Sequence, residues 1–231
     1  MASSVEWIAR RWARACSAAL LVGGLALAGG CSVSEAAVVS EVPYYRTAEF
    51  TAEWLDTAAA AAPTLHRIAP FAFTDQQREA VTPESLRGKI YVASFFFSSC
   101  PSICPRMTRT LKRIQEAFRG DPGVALVSHT VDPDNDTPER LAEYARMNGI
   151  ESDQWHLVTG DQSAIYELAR TSYFAEKQLG LNKTTDEFLH TENMLLIDGE
   201  GHIRGIYNAT LPAEATRVIE DIRVLKADAR R

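Results

Sequence analysis

The stretch that most constrains this chain is Ser98-Ser99-Cys100-Pro101-Ser102-Ile103-Cys104-Pro105, because it joins two unlike elements. Ahead of it, Ile90-Tyr91-Val92-Ala93-Ser94-Phe95-Phe96-Phe97 is a continuous apolar run that predicts a strand buried on both faces. Behind it, Met107, Leu111, Ile114 and Phe118 repeat at helical spacing, with Arg106, Arg109, Lys112 and Arg113 on the other faces. Two cysteines with three residues between them therefore sit where a central strand hands over to a helix. The unpaired N–H groups and partial positive charge of a helix N-terminus favour thiolate over thiol. Thiolates so placed can bind a soft metal, exchange disulfides or cross-link each other.

The chain has four cysteines, and Cys16 and Cys31 lie in or at the end of a targeting segment. The folded part keeps only the pair Cys100 and Cys104. A plain structural disulfide is the bland alternative, and so short a loop would remove little unfolded-state entropy. Zinc lacks a second C-x-x-C or H-x-x-H pair to complete its ligands.

At the start of the chain, Arg10, Arg11 and Arg14 precede a short apolar segment from Ala15 to Ala28, the layout of a secretory signal. Gly29-Gly30-Cys31 after it resembles a bacterial lipobox, with Ala28 where Leu is more usual; an uncleaved anchor is the alternative. Residues 1–30 are thus expected to be a signal segment ending at Cys31, 31–42 a tether and 43–231 the folded domain. The protein is expected on the periplasmic side of the cell envelope, held to the membrane by lipid on Cys31 or by the uncleaved segment. Residues 1–30 carry three Arg and one Glu, so their removal takes the formal charge from −6 to −8. A domain that acidic argues against a nucleic-acid partner.

Further along, Glu53-Trp54-Leu55 and the run Ala58–Ala62 suggest a short helix that Pro63 ends. Phe71-Ala72-Phe73-Thr74 reads as a short strand, and Thr82–Leu86 suits one helical turn. Val124–Val131 is a second buried strand, and Asp132-Pro133-Asp134-Asn135-Asp136-Thr137-Pro138 a loop in which Asp136 or Thr137 caps the next helix. That helix stops at Asn148-Gly149, Trp155–Thr159 is a third strand, and Asp161 opens a helix through Arg170. After an irregular polar segment, Met194–Ile197 and Ile203–Tyr207 form a hairpin around Asp198-Gly199, and Pro212 opens a terminal helix. This order, with a redox-type cysteine pair after the first main strand, is that of a thioredoxin-like α/β fold, a central mixed sheet flanked by helices.

From about residue 41 to 226 the chain resembles the Sco/SenC family of copper proteins tied to cytochrome c oxidase assembly. The resemblance rests on Ser99-Cys100-Pro101-Ser102-Ile103-Cys104-Pro105, on Thr130-Val131-Asp132-Pro133-Asp134-Asn135-Asp136-Thr137-Pro138, on Trp155-His156 and on Phe188-Leu189-His190-Thr191. It implies a copper bound by Cys100, Cys104 and His190. It also implies a partner, the oxidase subunit carrying the binuclear copper centre, to which the protein hands copper or whose cysteines it reduces.

The residues agree with that implication. Two thiolates select Cu(I), and an added imidazole gives a site that also holds Cu(II). Of the five histidines, His66 precedes the domain's regular part, His156 lies beside Trp155 on a strand, and His202 is at the hairpin turn. His129, near the end of a buried strand, is the reserve ligand. His190 stands immediately before the hairpin, where thioredoxin-like oxidoreductases usually carry a cis-proline and this chain has none. The acidic loop Asp132, Asp134, Asp136 lacks the glycine and terminal Glu of a calcium loop. Asp132 is left open as a neighbour of the copper pocket. The leading expectation is a copper chaperone rather than an enzyme, and the alternative is a thiol–disulfide oxidoreductase. A peroxide-handling thiol protein is disfavoured by the cysteine spacing and the lack of a separate resolving cysteine.

Overall fold

The computed structural model describes residues 40–175, 189 and 191–230. A helical turn α1 (Thr57–Ala60) leads to a hairpin of β1 (Phe73–Asp75) and β2 (Ala80–Val81), followed by the turn α2 (Pro83–Leu86). Then β3 (Ile90–Phe96), α3 (Cys104–Ala117), β4 (Val124–Thr130), α4 (Pro138–Asn148), β5 (Trp155–Thr159) and α5 (Gln162–Glu167) alternate. The chain ends with β6 (Asn193–Ile197), β7 (Ile203–Asn208) and α6 (Pro212–Asp228).

The strands make one mixed sheet in the order β2-β1-β5-β4-β3-β6-β7. β3, β4 and β5 are parallel, and the remaining pairings are antiparallel. The period-two alternation of β3 divides its side chains between two cores. Ile90, Val92 and Phe96 pack with Met107, Leu111 and Ile114 of α3, Leu141 of α4, and Val218 and Ile222 of α6. Tyr91, Ala93 and Phe95 pack on the opposite face with Ile165 and Tyr166 of α5 and with Tyr173. The thioredoxin-like α/β arrangement expected from the element order is the one observed.

Caps explain where several helices begin and end. Thr82 Oγ1 accepts from Ser85 N–H at 3.3 Å, and the Ser85 hydroxyl accepts from Thr82 N–H at 3.0 Å. Thr137 caps α4 by accepting from Arg140 N–H, with Pro138 in the first position. Gly149 stops α4 at φ +60°, a left-handed conformation that favours glycine.

Three local expectations are corrected. Glu53 is not helical: its N–H and C=O pair with Tyr44 in an isolated antiparallel bridge, and the helix starts later, at Thr57. The strand expected over 71–74 is shifted to 73–75 and is the inner strand of a small hairpin with β2. The helix opened by Asp161 keeps α-geometry only to Glu167 and continues as a π-helical turn, Leu168–Ser172.

The topology gathers four connections at one end of the sheet. Phe96 of β3 is in register with Thr130 of β4, and Ser94 with Met194 of β6, while Asn193 faces Asn208 of β7. The cysteine turn, the 131–137 loop, the entry to β6 and the exit from β7 therefore share that edge.

Beneath this edge Ser94 and Ser128 lie hydroxyl to hydroxyl at 2.8 Å, and Trp155 Nε1 donates to Ser128 Oγ at 2.9 Å. Removing the shared hydroxyl leaves a buried indole N–H without an acceptor, a loss of about 1–3 kcal/mol. Ser128→Ala should lower the unfolding free energy by that amount, read as a fall in the urea midpoint with an unchanged m-value. A midpoint equal to the wild type would show that the network carries no stability.

Candidate metal centre

β3 ends at Phe96 and α3 begins at Cys104, so the turn between them carries Cys100 at its centre and Cys104 at the first helical position. Cys100 N–H donates to Phe97 C=O at 3.2 Å, closing the turn back on the strand. The residue before the helix, Ile103, offers no capping side chain, which leaves N–H groups at this end for another acceptor. The Cys100 sulfur faces these groups, and the N–H groups of Cys104, Ser102 and Ile103 favour its thiolate. Both cysteines are free thiols, Cys100 half-buried and Cys104 buried, and each perturbs the other electrostatically.

The two sulfurs are electrostatically unlike. Burial pushes Cys100 up, but the surrounding N–H groups and the Cys104 thiol outweigh it and bring it below the ordinary thiol value. Burial is also the largest influence on Cys104 and is only partly offset by a backbone hydrogen bond at Phe97. With the Cys100 sulfur and the Asp136 carboxylate adding to burial, the thiol is pushed up to about 12. Thr108 Oγ1 donates to Cys104 C=O at 2.9 Å and meets the Tyr144 hydroxyl at 2.8 Å, bracing the first turn of α3 from α4.

Of the two residues the sequence offers as caps for α4, Thr137 takes the role, and Asp136 is buried under the cysteine turn. Its carboxylate accepts from Ser98 N–H at 3.0 Å, from the Ser98 hydroxyl, and from Thr130 Oγ1 at 2.5 Å. No local pattern signals this role; it follows from the register of the two strands, which brings the end of β4 beside the end of β3. Asp132 instead holds Asn135 Nδ2 with both carboxylate oxygens inside its own loop.

His190 and Cys31 lie outside the described residues, as does residue 188 in the quoted motif. Leu189, immediately before His190, is buried, and Glu192 C=O accepts from Ala209 N–H at 2.8 Å where β6 and β7 meet this edge. The reserve ligand His129 is corrected: it does not approach the cysteines. Its register partner is Phe95, and its ring lies on the opposite face of the sheet among Phe71, Phe73, Phe95 and Tyr173. There burial pushes the imidazole down to about 3 and leaves both ring nitrogens without partners.

The other histidines are tied up elsewhere. His156 Nδ1 is 2.9 Å from Asp75 Oδ2, His66 Nε2 is 2.8 Å from Ser172 C=O, and His202 Nδ1 is 3.3 Å from Asp198 Oδ2. Among the described residues there is no group of three or more His, Cys, Asp or Glu that could hold a metal ion.

A family model described as SCO1/SenC matches residues 59–226. The SCO1 protein homolog of Bacillus subtilis (strain 168) is 31% identical over 165 residues, covering 70% of this chain and 83% of that protein. The solved structure of BsSco, a member of the Sco family of cytochrome c oxidase assembly proteins with an identified disulfide switch, is 30% identical. It superposes with a TM-score of 0.60 over 70% of this chain and 94% of its own. Bradyrhizobium japonicum ScoI, solved with copper bound, is 28% identical with a TM-score of 0.53, over 67% of this chain and 96% of that one.

The unequal thiols give a direct expectation. Iodoacetamide added to the reduced protein near neutral pH should label Cys100 well before Cys104, because only Cys100 is both accessible and lowered. Peptide mapping by mass spectrometry measures the order. Equal labelling, or Cys104 first, would contradict the arrangement of N–H groups around Cys100.

Proposed function

The chain belongs to the SCO1/SenC family, and from that membership we propose that it is an exported copper carrier serving assembly of a respiratory cytochrome c oxidase. Copper is its cargo, held by Cys100, Cys104 and His190. One observation carries the reading: two free thiols at the start of α3 that perturb each other electrostatically, one of them facing three N–H groups. This donor set fits a soft monovalent ion, because thiolates are the preferred ligands of Cu(I). Adding the imidazole of His190 supplies the nitrogen that Cu(II) prefers. Relatives support the cargo and the destination: ScoI of Bradyrhizobium japonicum holds copper, and BsSco is counted among cytochrome c oxidase assembly proteins.

The chain's own groups divide the work. Cys100, the accessible and more acidic thiol, meets the incoming ion first, and the helix N–H groups stabilise the sulfur's negative charge. Cys104, buried under the turn, has to give up its proton on binding, so capture by the second sulfur releases a proton at that atom. Thr108 and Tyr144 keep the first turn of α3 fixed while this happens. The partner is the oxidase subunit that carries the binuclear copper centre.

The same asymmetry favours a second reading, thiol–disulfide exchange with a partner's cysteines, since a half-buried thiol of lowered pKa beside a buried one suits attack followed by resolution. Metal analysis of protein purified with its thiols reduced separates the two readings. Copper retained by the dithiol and not by the disulfide form supports the carrier. Absence of copper with catalytic reduction of disulfides would replace it with the oxidoreductase.

His190→Ala tests the third ligand. It is expected to abolish the sulfur-to-copper charge-transfer absorption of the Cu(II) form while leaving Cu(I) bound, because two thiolates satisfy Cu(I) by linear coordination. His129→Ala should leave that spectrum unchanged, its ring lying on the other face of the sheet. An unaltered Cu(II) spectrum in the His190 variant would remove it from the ligand set.

Membrane attachment through lipid on Cys31 completes the reading, supported by Gly29-Gly30-Cys31 after a short apolar segment. Several acyl chains are needed for stable anchoring, which a lipoprotein N-terminus provides. Mass spectrometry of the membrane fraction should find a mature chain beginning at a modified Cys31. An intact Met1 or an unmodified mature terminus would overturn this part.

A further inference from the structure

The loop Val131–Thr137 is built to deliver a carboxylate to the cysteine turn. Asp132 C=O accepts from Asn135 N–H at 3.2 Å and from Asp136 N–H at 2.9 Å, so the chain folds back on itself before α4 starts. Thr137 and Pro138 then fix the helix start, which leaves Asp136 pointing inward, 1% exposed. Three donors converge on its carboxylate: Ser98 N–H, the Ser98 hydroxyl and Thr130 Oγ1. Thr130 belongs to β4 and Ser98 to the turn after β3, so one side chain clamps the turn to the neighbouring strand. Arg140 Nε reaches the same Ser98 hydroxyl at 3.3 Å, but from the exposed side of α4, where water screens its charge.

We infer that Asp136 is a positioning residue for the cysteine turn: it holds the turn through Ser98, and its buried charge biases bound copper toward the Cu(II) state. The inference rests on the copper reading above and names a determinant of that site outside its ligand set.

The electrostatic half follows from counting charge. Cu(II) on two thiolates and a neutral imidazole leaves no net charge, whereas Cu(I) on the same set leaves a net negative one. A carboxylate buried nearby repels the second more than the first, and burial keeps that repulsion from being screened. Asp136 lies close to the site: its buried carboxylate is bonded to both the amide and the hydroxyl of Ser98, two residues before Cys100. The positional half follows from the hydrogen bonds. Ser98 stands two residues before Cys100, and its amide is fixed by Asp136 Oδ2.

Two substitutions separate the halves. Asp136→Asn keeps the shape and can still accept from Ser98 N–H and Thr130 while donating to the Ser98 hydroxyl, so it removes the charge and keeps the clamp. Asp136→Ala removes both. In the full-length reduced protein, amide exchange of the 97–103 turn is read without metal. Affinities for Cu(I) and Cu(II), added as the ions, are then measured by competition with chelators.

Asp136→Asn should keep turn exchange within about twofold of the wild type and raise the Cu(I)-to-Cu(II) affinity ratio by about tenfold. Asp136→Ala should raise the ratio similarly, speed turn exchange by at least about tenfold, and alter the Cu(II) charge-transfer band. An unchanged ratio in Asp136→Asn overturns the electrostatic role, and unchanged turn exchange in Asp136→Ala overturns the positional one. Should the Asp136 variants not fold, Ser98→Ala and Ser98→Thr decide: the first should speed turn exchange and the second restore it, and no difference between them overturns the clamp. If the wild type binds neither ion, the copper reading fails and takes the electrostatic role with it, while the exchange data still decide the clamp.

Discussion

Burying β3 on both faces leaves its backbone no partner except other strands, and β4 and β6 take up its length from Ile90 to Phe96. Because β4 runs parallel to β3, the connection between them has to return across a face of the sheet, and α3 is that connection. The polypeptide must therefore leave the sheet at Phe96 and begin a helix within a few residues. The N-terminus of that helix then lies over the sheet edge with its N–H groups unspent. A sulfur placed in the turn meets those groups as a consequence of topology. The chemistry of Cys100 is thus a property of where β3 stops.

The same edge shows why two thiols so close in sequence differ. Cys104 is part of the helix and its side chain joins the α3 core, 4% exposed, whereas Cys100 only packs against that core from the turn. Burial disfavours a charged sulfur in both cases, but at Cys100 the donors are numerous enough to reverse it. Ion capture by such a pair is sequential in protons, with the accessible sulfur prepared and the buried one released from its proton by the ion itself.

The strands and helices were legible in the sequence because each of β3, β4, α3, α4 and α6 carries its own periodicity and its own punctuation, such as Thr137-Pro138 and Gly149. The cysteine pair was legible for the same reason, standing between two unmistakable elements. What could not be read were contacts across the sheet. The side to which His129 points is fixed by its register with Phe95, a pairing between strands that no local pattern displays. Asp136 and Thr137 both stand where a cap for α4 is expected, and only the proximity of Ser98 and Thr130 gives the Asp136 carboxylate other partners. Glu53 was lost to a bridge with Tyr44, again a tertiary partner overriding local propensity. The lead-in is similar. Arg204 donates to the carbonyls of Val42 and Pro43 and pairs with Asp198 at 3.1 Å, so residues of bland composition are pinned to the hairpin.

His129 stands one residue before the end of β4 and Asp136 in the loop beyond it, and they mark opposite ways of burying a polar group. Asp136 has a donor for each direction its carboxylate faces, so its desolvation is compensated and the clamp it forms is specific. His129 has none, and neutralising the imidazole is how the fold tolerates it; the stacked ring of Phe95 and the edges of Phe71 and Phe73 supply dispersion contact instead. An unsatisfied buried ring costs about 1–3 kcal/mol. That cost falls on the face of the sheet away from the cysteines. On the cysteine face the buried Ser94, Ser128, Thr130 and Asp136 side chains all have partners, and it is there that atoms have to be held in place for an ion to find two sulfurs ready.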